Sequence, residues 1–110
     1  MKIVEREGSK VLKDEAGKFQ NYLEFLQEGR EQHENANLIL DLQEVENLDN
    51  EQLLNLLPFS EQHRERGRSF VVVSKEVDID EVPEELAVVP TLGEADDLIQ
   101  MEEIERELGF

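Results

Sequence analysis

Apolar residues in this chain follow two rhythms, short unbroken runs and stripes that recur every three or four residues. The runs Leu38 to Leu42 and Phe70-Val71-Val72-Val73 are brief and bounded by polar residues, which predicts buried strands over 37–42 and 69–74. The first of them is apolar on both faces and is expected at the centre of a sheet. Met1–Val4 and Ser9–Lys13 are apolar-rich runs split by Glu5-Arg6-Glu7-Gly8, the pattern of a hairpin. Ala87-Val88-Val89 predicts a last short strand, stopped by Pro90.

The helical rhythm occupies the intervals. Phe19, Tyr22, Leu23 and Leu26 lie at i, i+3, i+4 and i+7, predicting a helix within 16–34. A second helical pattern runs over 50–66, and Pro58 inside it predicts a kink or break near Leu57. Gly67 is its expected stop, with Arg64, Arg66 and Arg68 suited to the negative end of the helix. Lys75 to Glu85, rich in acids and carrying Pro83, predicts a loop or at most a short turn. Thr91-Leu92-Gly93-Glu94 has the spacing of a capping box and predicts the start of a final helix. Behind it Leu92, Ala95, Leu98, Met101, Ile104 and Leu108 form a stripe that is expected to cap the core. The strand–helix–strand order from Asn37 onward predicts an α/β fold with parallel pairing, built as a small mixed sheet with helices packed on one side.

Composition then narrows the function classes. At 110 residues the chain is expected to form a single domain, 1–110, with a helical C-terminal extension from about 100. The net charge of −17 argues against phosphate-backbone binding, which needs clustered Lys and Arg, and against docking on anionic lipid. Cysteine is absent, so there is neither a disulfide framework nor a thiolate metal site. With no apolar run near the roughly 20 residues of a membrane span and no secretory signal, a cytoplasmic protein is expected. A partner drawn to the acidity would be basic.

The densest pattern is Leu38 to Leu57. An apolar strand ending at Asp41-Leu42 leads through Val45 and Leu48 into Asp49-Asn50-Glu51-Gln52, where a short polar residue can cap a leucine-rich helix. This stretch resembles the signature of the STAS domain (sulfate transporter and anti-sigma-factor antagonist), whose strand and loop run into Asp-Ser-Ser-Gly-Leu at a helix start. Asp41, Leu42, Val45, Leu48 and Asp49 fall on that pattern without a gap, and Leu53, Leu56 and Leu57 match the helix face that follows. Thr91-Leu92-Gly93-Glu94-Ala95 is similar to the segment that opens the family's last helix. The resemblance implies a non-enzymatic regulatory module of the bacterial anti-sigma-factor-antagonist kind, binding an anti-sigma factor or a serine-kinase-like regulator as a monomer or weak dimer. It places the partner-binding surface at Asp49, Asn50 and Glu51. The family's phosphorylated Ser is here Asn50, which has no hydroxyl, so the usual switch is not implied; Glu51 supplies a fixed negative charge instead. Helix capping alone explains the same residue types equally well. The alternative is an accessory or scaffold subunit docking on a larger enzyme, such as one of RNA processing.

Other chemistry is thin. His33 and His63 lie far apart in sequence and are expected as solvated helix residues, since a hydrolytic metal centre needs closely spaced His and Asp ligands. Asp78-Ile79-Asp80-Glu81 lacks the EF-hand pattern: counting from Asp78, Pro83 holds the position that needs Gly, and Val89 the one that needs Glu. No Gly-x-Ser-x-Gly and no phosphate-cradling glycine loop occurs. The chain is therefore expected to use no cofactor, no metal and no catalytic residue. Leu108 and Phe110 at the tail are a possible second interface, because apolar anchors dominate such contacts.

Overall fold

The computed structural model describes residues 1–6 and 8–109, and only the backbone of 30, 31 and 79. Five strands, β1 (Lys2–Arg6), β2 (Ser9–Lys13), β3 (Asn37–Asp41), β4 (Phe70–Val73) and β5 (Ala87–Val89), form one sheet in the order β1-β2-β3-β4-β5. The hairpin pair β1–β2 is antiparallel; β2–β3, β3–β4 and β4–β5 are parallel. The fold is thus α/β with a mixed sheet, and β3 is its central strand, buried at every position.

Helices α1 (Phe19–Glu28) and α2 (Arg30–His33) join β2 to β3, and α3 (Asn50–Leu54) and α4 (Leu57–Glu65) join β3 to β4. The expected helix over 16–34 is therefore shorter and divided at Gly29, whose N–H returns to the Phe25 carbonyl. The break near Leu57 falls between α3 and α4, with Pro58 in the first turn of α4, where a missing N–H costs no intrahelical bond. Only the one-turn 3-10 segment Ile79–Glu81 lies between β4 and β5.

The sheet carries helices on both faces, not on one as expected from the sequence. Leu12, Leu38, Leu40, Phe70, Val72 and Val88 point to the side where Phe19, Tyr22, Leu26, Leu53 and Leu56 pack. The alternate positions Val11, Ile39, Val71 and Val73 face the other way and are covered by Ala95 and Ile99 of α5 (Leu92–Glu107). The reason is topological. Strands laid down in sequence order with right-handed crossovers put every connecting helix on one side. The opposite apolar face is left to an element outside these crossovers, here α5 after the last strand.

That same helix overturns the expectation that its whole stripe caps the core. Ala95 and Ile99 are buried, but Met101, Ile104 and Leu108 are 58%, 51% and 65% exposed. Phe110 lies outside the described residues.

Candidate functional site

Because β2, β3 and β4 run parallel, the loops that leave their C-terminal ends (14–18, 42–49 and 74–86) emerge along one edge of the sheet. Side chains and close backbone contact tie the three loops together. The Tyr22 hydroxyl accepts from the Asp14 N–H (2.8 Å) and donates to the Asp41 carbonyl, joining the first loop to the end of β3. Burial pushes that hydroxyl up to about 12, so it remains a donor at any ordinary pH. The Asp14 carboxylate accepts from the Lys18 N–H and from Asn21 Nδ2, both at 2.9 Å. The Lys18 amide, foremost among these, holds the Asp14 carboxyl below its usual range. Gly17, at φ 67°, sits directly over the Glu44 carbonyl, and Lys13 reaches the Glu44 carboxylate at 3.6 Å.

The residues singled out in the sequence stand at the middle of this edge. Asp49 is the cap of α3: its carboxylate accepts from the Gln52 N–H (2.8 Å), and the Gln52 side chain accepts from the Asp49 N–H (3.1 Å). The cap is thus Asp49, and Asn50 is the first helical residue. The half-buried Asn50 donates through Nδ2 to the Glu81 carboxylate at 3.1 Å, linking the β3–α3 loop to the β4–β5 loop. Asp49 and Glu51 are exposed, as are Glu44, Glu46, Glu76, Asp78, Asp80, Glu81, Glu84 and Glu85 on the same loops. The edge is therefore a braced, acidic surface. Its position 50 is built for a neutral donor, because an anion placed there would meet the Glu81 carboxylate.

Both histidines fall elsewhere and are not solvated as expected: His33 is 7% and His63 6% exposed. They line one small cavity of about 20 Å³ with Phe25, Leu26, Phe59 and Phe70, room for a single water molecule. His63 Nε2 donates to the Ala36 carbonyl at 2.6 Å. Lys10 Nζ donates to His33 Nδ1 at 3.1 Å, which leaves the proton on His33 Nε2, without a partner among the described residues. Their burial was legible: His33 follows Leu26 by seven residues and His63 follows Leu56 by seven, the apolar-face spacing.

Desolvation holds both rings below the ordinary histidine value of 6.5, reinforced at His33 by Lys10 and at His63 by Arg66, Arg68 and Arg64. A depressed folded-state pKa means that the unfolded chain binds the proton first. Stability is then full above 6.5 and falls as the pH drops below it. Urea midpoints taken from pH 7.5 down to about 5.5, where most carboxylates stay ionised, are expected to decrease steadily. A flat or rising midpoint over that window contradicts the buried neutral pair.

Among the described residues no group of three or more His, Cys, Asp or Glu side chains is placed to hold a metal ion, and no helix is long and apolar enough to cross a membrane. Compared with known proteins, the chain matches no family model and no curated protein.

Proposed function

We propose that this chain is a cytoplasmic, non-catalytic protein-interaction module, similar to an anti-sigma-factor antagonist but without a serine switch. Its partner meets the loop edge at Asp49, Asn50 and Glu51. The observation that carries this reading is the capped start of α3, exposed yet held in place from two sides by Gln52 and Glu81. A rigid surface needs little ordering on binding, so its contacts go into affinity. Its exposed acids favour a partner with a basic face, which gains association rate and orientation from the field. Asn50, donating to Glu81, supports a constitutive surface in place of one toggled by phosphate.

The accessory-subunit reading has one observation in its favour, the outward apolar residues of α5. Purification of the tagged protein from its native cell separates the two. Recovery of a sigma regulator or serine-kinase-like protein supports the first reading, and recovery of a large enzyme supports the second. Glu51→Lys is the variant to carry alongside. Reversing a first-turn charge costs about 0.3–1 kcal/mol through the helix dipole, so the domain stays folded while the surface changes sign. Chemical denaturation checks that figure.

A further inference from the structure

Helix α5 is built inside out over its last two turns. Its inward positions begin apolar, with Ala95 and Ile99 on the sheet, and continue one turn later with Glu102 and Arg106. These two are fixed by a polar network. The Glu102 carboxylate accepts from Arg64 Nη1 at 3.0 Å and from Ser69 Oγ at 2.6 Å, and Arg106 Nη2 donates to Ser69 Oγ at 3.1 Å. Met101, Ile104 and Leu108, spaced i, i+3 and i+7, therefore share the opposite face and stand in solvent. Scattered exposed apolar residues need no explanation, but three on one face of a helix whose inward side is ionic do. Folding alone would favour the reverse arrangement.

We propose that this outward face of α5 docks a basic amphipathic helix of a partner protein. The apolar stripe calls for apolar anchors at helical spacing, the mode in which one helix lies along another. The rim decides the charge. Asp97 and Glu105 lie four residues either side of Met101, Glu107 lies three past Ile104, and the nearby Arg106 is held inward by Ser69. A second copy would set this acidic rim against itself in a chain of net charge −17, and anionic lipid would meet the same repulsion. Lysine or arginine flanking an apolar stripe satisfies both requirements. Ser69 immediately precedes β4, so the last turns of α5 lie at the opposite end of the strands from the loop edge. Both surfaces can be occupied at once, and this docking does not depend on the reading of Asp49 to Glu51.

The probe is a synthetic helical peptide of leucine and lysine with its leucines on one face. The control peptide has the same composition with leucines spread around the helix. At about 0.15 M salt, where charges farther apart than roughly 8 Å are screened, the segregated peptide is expected to bind at least tenfold more tightly than the control. The double variant Met101→Gln/Ile104→Gln, both exposed and so compatible with folding, is expected to lose that preference. Glu51→Lys should leave it within twofold. Amide-exchange protection on binding should fall on 100–108. Equal affinity for the two peptides, or a preference that survives the double variant, overturns the proposal in favour of unspecific charge attraction. A wild-type dimer by sedimentation that the double variant dissolves overturns it in favour of a second copy.

Discussion

Gly17→Ala is expected to destabilise the domain by about 2–5 kcal/mol, a large effect for the addition of one methyl group. Two costs combine. At φ 67° an alanine sits in the left-handed region, which disfavours a side chain by roughly 1–2 kcal/mol. The new Cβ would also collide with the Glu44 carbonyl, a backbone atom that cannot swing aside, and overpacking of that kind costs about 1–3 kcal/mol more. Gly67→Ala isolates the first cost, because Gly67 has φ 78° but open space around its Cα. It should therefore lose only the conformational part. Urea denaturation of the two variants gives the difference directly. Equal losses would mean that the first and second loops of the edge are not packed together.

Leu53→Ala is the second large loss, about 2–5 kcal/mol, from deletion of a fully buried leucine and the cavity left behind. Leu53 is the inward anchor of α3 among Leu48, Leu56 and the sheet, so its removal loosens the short helix whose start carries the candidate surface. The neighbouring Leu54 is 47% exposed, and its replacement by Ala should stay near ±0.5 kcal/mol. A comparable loss at both positions would contradict the way α3 faces the sheet.

Strand and helix identities were legible because each had a single rhythm. The runs at Leu38–Leu42 and Phe70–Val73 are too short for helices, and Phe19, Tyr22 and Leu26 can share a face only at helical spacing. The second layer of helix was legible too, though less directly. A central strand apolar on both faces, as Leu38-Ile39-Leu40 is, requires cover on both sides, which contradicts a one-sided arrangement. What periodicity could not decide was the direction of α5. Apolar residues fall on both sides of that helix, and the burial of Ala95 and Ile99 together with the ion network of Arg64, Ser69, Glu102 and Arg106, formed across 64–106, shows which side faces in. The loop edge was half visible. Asp49 ahead of Leu53 announced a cap, but the bonds from Asn50 to Glu81 and from Tyr22 to Asp41 join residues distant in sequence and have no local signal. The buried histidines were missed because two isolated ligands suggested no metal, and helical spacing from Leu26 and Leu56 was the better guide.

The claim that the loop edge meets a protein partner is tested most directly by charge reversal at its centre. With the recovered partner in hand, calorimetry on wild type and on Glu51→Lys, each verified as folded, compares the two affinities. The account predicts at least a tenfold weaker complex for Glu51→Lys, eased by salt in the wild type because the attraction is electrostatic. An affinity unchanged by Glu51→Lys would contradict it.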